Sequence, residues 1–485
     1  MNARSERFEL QRREQLEMLC RIPERSEDAL YLQSKSIENI VNDLDEHGCR
    51  SALDFSVALK QRQEKSDPLL QFRCGVGRIE EQHHMLRMLH ENADLLTVTI
   101  DSYTRQNDYL GCSAALLVER STEQRVLNGY PLIHHGVAAN REMVADLSKP
   151  VQVRHGTPDP RLLAEVAFAS GYTAFEGGPV TYCIPYSKSV SLKEAFEAWA
   201  YVEWLAVDYS QHDCPINRES FAPLSGVLIP PIIVILIQLL EGYWILLSGV
   251  TSLTLGITQL GTVDQDVAVQ RVLKRGVEEF LRPLFPFAEI SYAFHHWMGP
   301  FPAAREGAYR IMERGTRAAK MGDASKLIVK TSVERHGVPS LDDTINSLKT
   351  TKACLDTLGS CDSSLSPLFT FDEEDALWKE LKHLLHLYGI KFSRNCSVSE
   401  LENKLEYLFD EGLLDIPMAP SSVCRGKVLA ARDTHGNVRV LEPGRIPFSA
   451  HYLKREKAGL NVPDDLTPYK KLWCSYESLM QWENG

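Results

Sequence analysis

Two hydrophobic periods alternate along this chain. Between about residues 65 and 345, short apolar runs that read as strands are separated by longer stretches whose apolar positions recur every three or four residues. The strand-like runs are Leu69 to Arg73, Leu95 to Asp101, Arg125 to Gly129, Val151 to Arg154, Ala200 to Val207, Gly226 to Ile229, Thr251 to Ile257, Ala288 to Phe294 and Lys326 to Lys330. Ile79 to Asn92, Pro160 to Ala169, Leu192 to Trp199 and Gly307 to Met321 read as helices between them. Strand–helix alternation means right-handed crossovers and a parallel sheet. Eight such units close a (β/α)8 TIM-type barrel, which carries its chemistry at the C-terminal strand ends. A doubly wound open sheet is the alternative.

The flanks have a different pattern. Residues 1–64 predict an N-terminal helical segment, with Arg7 to Leu19 and Leu32 to Leu53 spaced as amphipathic helices. Residues 65–350 form the expected barrel. Residues 351–485 predict a C-terminal α+β extension, entered through the Ser/Asp/Pro-rich break Ser360 to Pro367. Helices are expected there at Glu373 to Tyr388 and Val398 to Glu411, with strand-like pieces around Lys427 to Leu441.

Gly226 to Val250 is almost wholly apolar and long enough to span a bilayer. Pro230 and Pro231 break its start, Gln238, Glu241 and Gly242 interrupt its middle, and no basic cluster flanks it. A buried strand and a core helix are expected instead, with Glu241 at the polar edge of the helix.

Composition narrows the function. An apolar fraction of 44% and a charged fraction of 24% over 485 residues fit a soluble globular protein with a large core. The net charge of -12 argues against a phosphate-backbone binder. The opening residues contain no apolar leader run, and the 11 cysteines form no Cys-x-x-Cys pair, so reduced thiols and a cytoplasmic location are expected. Neither a dinucleotide fingerprint nor a phosphate loop is present.

Arg73, Arg105 and Arg154 each end or follow a strand-like run. Arginine's planar fork binds carboxylate bidentately, so three forks at separate strand ends suit a compact substrate with two carboxylates. Three unrelated surface arginines, each paired with a nearby acid, is the other reading. The densest polar cluster is Phe175 to Lys188. Glu176 there could hold a substrate ammonium, and Tyr182 and Tyr186 could bond carboxylate oxygens. A glycine turn over packed aromatic residues accounts for the same pattern. His295 and His296 at strand spacing point to opposite faces and make poor joint metal ligands. Lys330 ends a strand-like run.

Seven short motifs occur in order: Thr-Ile-Asp-Ser-Tyr-Thr-Arg-Gln-Asn (99–107), Leu-Asn-Gly-Tyr-Pro (127–131), Arg-His-Gly-Thr-Pro-Asp (154–159), Glu-Gly-Gly (176–178), Ile-Asn-Arg-Glu (216–219), His-His-Trp-Met-Gly (295–299) and Ile-Val-Lys-Thr (328–331). Through them the chain resembles the large (epsilon) subunit of glutamate mutase, also called methylaspartate mutase, over about residues 65–448. The resemblance implies an isomerase that interconverts L-glutamate and (2S,3S)-3-methylaspartate by a radical rearrangement. It implies adenosylcobalamin as cofactor, shared with a small sigma subunit whose Asp-x-His-x-x-Gly motif supplies the lower cobalt ligand. It also implies a homodimer of large subunits within a heterotetramer. This chain lacks the small subunit's motif: Asp433-Thr434-His435-Gly436 begins like it but has Val438 where the glycine should fall.

By the same resemblance Arg73, Arg105 and Arg154 match a claw for the two substrate carboxylates. His155 matches a substrate contact. Glu176 matches the acid that meets the ammonium and exchanges a proton with it, and Tyr182 and Tyr186 match carboxylate-binding phenols. Gly75, Asn128, Pro185, Phe221, Phe301, Lys330, Glu334 and Val338 match positions lining the corrin or adenosyl group. Pro179, the aliphatic run Ile232 to Leu240, Thr331-Ser332 and Leu255 to Gln265 depart from the family pattern. A cobalamin-independent barrel lyase or isomerase on a dicarboxylic amino acid, and a barrel scaffold without turnover, are the alternatives.

Overall fold

The computed structural model describes residues 3–470, apart from 50–53, 63–66, 123, 223–227, 336, 338, 359–366, 461–466 and 468–469. Eight parallel strands form its centre: β1 Leu69–Gln71, β2 Leu96–Thr99, β3 Val151–Arg154, β4 Ala174–Glu176, β5 Asn217–Ser220, β6 Ser252–Thr258, β7 Glu289–His295 and β8 Lys326–Ile328. Each pairs with the next from β2 to β8, and β8 pairs with β1. A parallel bridge between Gln71 and Leu95 joins β1 to the start of β2 and closes the ring. The chain is a (β/α)8 barrel with helices outside.

Five expected runs overlap β1, β2, β6, β7 and β8, and the run Val151 to Arg154 coincides with β3. β4 and β5 fall outside the expected strands, because Ala-Phe-Glu and Asn-Arg-Glu-Ser carry no apolar run. Ala200 to Val207 is no strand. It lies inside the helix Leu192–Gln211, which a Ser191–Glu194 capping box starts and whose inner face is apolar. Arg125 to Gly129 is loop, with a single bridge from Tyr130 to Ile100. Leu228 and Ile229 are not in a strand either, and 226–227 lie outside the described residues.

The lumen of the barrel is polar. Lys326 Nζ donates to Gln71 Oε1 at 2.7 Å and Gln152 Oε1 at 3.0 Å, and pairs with Glu219. Gln152 Nε2 donates to Glu219 Oε2 at 2.6 Å. Thr254 Oγ1 bonds Asn217 Oδ1 at 2.9 Å and Ser291 Oγ at 2.8 Å. These bonds join side chains of six strands, so these buried donors and acceptors satisfy one another. Below them, the Lys326 ammonium sits 4.9 Å from the Phe55 ring centroid, on the helix Phe55–Arg62. That helix also bonds Ser56 Oγ to Ser252 Oγ at 2.7 Å and covers the N-terminal end of the barrel.

The helix Pro231–Leu247 is buried along its length. It packs on β5 and β6 and also against the helices Val263–Gly276, Pro367–Leu387 and Val398–Asp410. A helix covered on all sides has no solvent face to be polar, which explains the aliphatic run Ile232 to Leu240. Its Gln238 is spent on backbone: Nε2 donates to Phe221 O at 2.9 Å, and Oε1 accepts from Gly256 N at 2.8 Å. Glu241 is not at a polar edge. It is 1% exposed and faces the barrel mouth. Among the described residues no helix is long and apolar enough to cross a membrane.

The helices Ala3–Arg21, Ser26–Ser34 and Ile37–Glu46 lie over the outer helices of the barrel. C-terminal to the barrel, helices surround an antiparallel hairpin of β9 Val428–Arg432 and β10 Val438–Pro443. Asp433 to Gly436 is its turn, with Asp433 Oδ1 accepting from the backbone N of His435 and Asn437, each at 2.9 Å. The expected division at 350 falls inside the helix Leu341–Thr357, and the one at 64 lies outside the described residues.

Candidate active site

The C-terminal ends of β1 to β5 and β8 bring most of the expected residues together. Arg154 ends β3, where register aligns it with Thr99 on β2. It is 2% exposed, ion-paired with Glu176 at the end of β4, and 3.5 Å from Glu219 of β5. Tyr182 donates a short hydrogen bond to Glu176. Burial and the neighbouring Glu219 raise the Glu176 carboxyl above its usual range, opposed by Arg154. Glu219 goes the other way: burial pushes it up, but Lys326 and Arg154 outweigh that and keep it ionised. Two adjacent carboxyls are thus driven apart, one toward the protonated and one toward the ionised form, as acid–base sites require. Burial brings the Lys326 ammonium down to about 8 even with Glu219 beside it.

Arg105 sits on the one-turn helix Ser102–Arg105, whose N-cap Asp101 accepts from Tyr103 N at 2.8 Å and Thr104 N at 3.0 Å. Its Nε donates to Asp101 O at 3.3 Å. Burial and then the nearby charge of Arg73 push its pKa down. Neither makes an ion pair with a described residue. Paired cations without an anion between them form an anion site.

Tyr182 and Tyr186 lie on the helix Pro179–Tyr186, their ring centroids 5.6 Å apart. Tyr182 is buried and Tyr186 is 43% exposed at the mouth. Phe221, just after β5, lies 5.3 Å from the Tyr182 ring and 6.2 Å from the Tyr186 ring. His155 is buried behind them, stacked on Trp199 at 5.7 Å and edge-on to Tyr182. Its Nδ1 accepts from Thr157 N at 3.2 Å, and burial with nearby Arg218 keeps the ring neutral.

Several buried residues that hold this cluster have no assignment from the sequence. Arg218 points outward from β5 and donates to the carbonyls of Phe175 and Gly177, the residues on either side of Glu176. A bidentate pair with Glu203, at 2.9 and 3.0 Å, and the Trp199 ring, 4.8 Å away, fix its guanidinium. Glu241 caps the helix that carries the tyrosines. It accepts from Val180 N (2.8 Å), Thr181 N (3.0 Å), Thr181 Oγ1 (2.7 Å) and Ser220 Oγ (2.7 Å). The Glu-Gly-Gly motif follows from this packing. Gly177 has φ 113°, and a Cβ there would strike Tyr182 and Trp199, while one on Gly178 would strike the Glu241 carboxylate. The signal for Glu219 and Arg218 is Ile-Asn-Arg-Glu, a polar tetrad too short to read as a strand.

At the rim, Lys330 Nζ pairs with Glu334 at 2.6 Å, and Glu334 also accepts from Thr331 N at 3.3 Å. Asn128 is exposed on the loop after the helix Tyr109–Thr122 and accepts from Ser102 N at 2.9 Å. Gly75, after β1, presses on the Thr99 carbonyl and Gly129, where a Cβ has no room. Pro185 is half-buried in the tyrosine helix, and Phe301 is buried in the loop after β7. Val338 lies outside the described residues.

The methylaspartate mutase E chain family model matches residues 51–462. The glutamate mutase epsilon subunit of Desulfitobacterium hafniense is 38% identical over 401 residues, covering 82% of this chain and 81% of the relative. Its counterpart in Escherichia coli O157:H7 is 39% identical over 403 residues, covering 81% of each. The one in Haloarcula marismortui is 38% identical over 428 residues, covering 85% of this chain and 86% of the relative. The chain therefore belongs to the methylaspartate mutase E chain family.

Proposed function

We propose that this chain is the catalytic large subunit of an adenosylcobalamin-dependent glutamate mutase, interconverting L-glutamate and (2S,3S)-3-methylaspartate in the cytoplasm. The observation that carries this reading is the meeting of Arg154, Glu176 and Tyr182 near two guanidiniums, Arg73 and Arg105, that make no ion pair with a described residue. Arg73 and Arg105 grip one substrate carboxylate, and Arg154 with the phenols of Tyr182 and Tyr186 grips the other. Glu176 takes the substrate ammonium, displacing part of its pairing with Arg154. Its raised pKa lets it return a proton to the amino nitrogen when the substrate skeleton comes apart.

The rim fits the nucleoside end of adenosylcobalamin. Lys330 and Glu334 set a donor and an acceptor side by side, as vicinal ribose hydroxyls require. When bound, the cofactor supplies a carbon-centred radical by cobalt–carbon homolysis. Asn128, Gly75, Pro185, Phe221 and Phe301 would line the corrin and adenosyl side. Buried aromatic walls at Tyr182, Phe221 and His155 exclude water from the reacting carbon. The lower cobalt ligand would come from a separate small subunit with an Asp-x-His-x-x-Gly motif, in a heterotetramer with two large chains.

Reconstitution tests this reading. The chain is mixed with a small cobalamin-binding partner, adenosylcobalamin and L-glutamate, and 3-methylaspartate is assayed. Product that needs all the components is the expected result. Absence of product in a mixture where adenosylcobalamin binds would overturn it.

A further inference from the structure

The barrel mouth is rich in donors. Arg73, Arg105, Arg154, Lys330 and two phenols all donate, while Glu176 and Glu334 are already paired. A histidine acceptor lies at the end of β7. His295 is 1% exposed and shares the face of Ser291, four residues earlier, whose hydroxyl meets Thr254 inside the lumen. It therefore points inward, level with Thr258 on β6 and Ile328 on β8. His296 points the opposite way, toward Thr316 on the outer helix Arg305–Met321.

The His295 tautomer follows from its contacts. Nδ1 lies 2.7 Å from the His296 carbonyl, which only accepts, so Nδ1 carries the hydrogen. Burial, with Arg154, Lys330 and Arg73 nearby, keeps the ring neutral and places it among the substrate-side cations. Nε2 then presents a bare lone pair, and among the described residues it has no hydrogen-bond partner. A buried acceptor left unmade is costly, and an occupant that supplies the donor recovers that energy.

We propose that His295 Nε2 is a ligand-binding acceptor of the barrel mouth, taking a hydrogen bond from an N–H or O–H of the occupant. The donor is either the ammonium of the amino-acid substrate or a hydroxyl of the nucleoside. This inference rests on the mutase reading and adds to it a binding residue outside the claw and the Lys330–Glu334 pair.

Calorimetric titration of the full chain with L-glutamate and, separately, with 5'-deoxyadenosine tests it in wild type, His295→Phe and His295→Gln. His295→Phe keeps the ring and removes the acceptor. It is expected to weaken one of the two ligands by about 10-fold, the worth of one buried hydrogen bond, and to leave the other unchanged. His295→Gln, whose carbonyl reaches a similar place, recovers part of the loss. Loss confined to glutamate assigns the ammonium, and loss confined to the nucleoside assigns the hydroxyl. Affinities for both ligands within about two-fold of wild type in His295→Phe overturn the proposal. If that variant does not fold, the nitrogen resonance of His295 Nε2 in the wild-type chain decides. It shifts on titration with one probe if the proposal holds, and with neither if it fails although both bind. A wild-type chain that binds neither probe overturns the mutase reading itself.

Discussion

Arg154 at the barrel mouth and Arg439 in the C-terminal extension are both buried arginines ringed by carboxylates, yet only one network is closed. Arg439 meets both oxygens of Glu373, at 2.9 and 2.8 Å, then Asp433 at 3.1 Å and Glu456 at 3.3 Å. Arg455 also donates to Glu373 and Glu456, Gln265 to Glu373 and Val440 N to Glu456. Arg439 and its three carboxylates leave no buried polar side-chain atom without a partner. Around Arg154 the valences stay open. Its own Nε, His155 Nε2 and His295 Nε2 lack partners, and Arg73 and Arg105 make no ion pair with a described residue. A closed network ties the helices Pro367–Leu387 and Ala450–Lys457 to β10, whereas an open one keeps binding capacity for something that arrives later.

The comparison breaks most sharply at Arg105. Arg105→Lys keeps the charge and loses the fork, so turnover in the reconstituted enzyme is expected to fall by about 10³-fold, the upper range for one lost charge-stabilising donor. Near-normal turnover would remove Arg105 from the claw and make the open network an accident of packing. In the closed network the expected effect is on stability alone. Arg439→Leu leaves Glu373, Glu456 and Asp433 facing one another, and removing one partner of a buried network costs about 3–5 kcal/mol. Denaturant unfolding measures this. Glutamate affinity should stay at its wild-type value, and a large change in it would mean that the extension and the barrel mouth are energetically coupled.

Glu176→Gln sharpens the contrast inside the open network. The amide cannot shuttle a proton, so turnover should fall by about 10²-fold. Glutamate binding should weaken less, since the arginines still hold the carboxylates. An unchanged rate would leave Glu176 a binding group only.

What the sequence makes legible follows the same division. Arg73, Arg105 and Arg154 can be read because each ends or closely follows a strand-like run, and fork chemistry then limits what it can bind. β6 and β7 can be read because seven-residue strands with apolar outer faces leave a long pattern. β4 and β5 cannot, because their inner positions, Ala174, Glu176, Asn217 and Glu219, serve a polar lumen and not an oily core. Arg218 and Glu203 stand 15 residues apart and meet only once β5 packs on the helix Leu192–Gln211. Glu241 escapes a correct placement for a similar reason. Its partners are the N-terminus of the helix Pro179–Tyr186 and Ser220, and no local pattern around 241 reports them.

The smallest expected effect separates the two networks by pH. Burial is the first cause that raises Glu456, to about 7 from an ordinary 4.5, with Glu373 adding to it against Arg439. In the folded chain Glu456 therefore holds a proton across a range where the unfolded chain has released it. Stability from this group is fully present below about 4.5 and is lost as pH rises toward 7. Asp266, raised by burial to about 7 from 3.8, acts in the same direction. Glu456→Gln mimics the protonated acid at every pH, so its unfolding free energy should fall less than the wild type's between pH 5 and 7, with Asp266 accounting for the remaining slope. Equal slopes in both proteins would mean that Glu456 is ionised throughout, with Arg439 and Arg455 outweighing burial. The closed network would then be an ordinary set of salt bridges, and its difference from the open one would lie in the open one's missing partners alone.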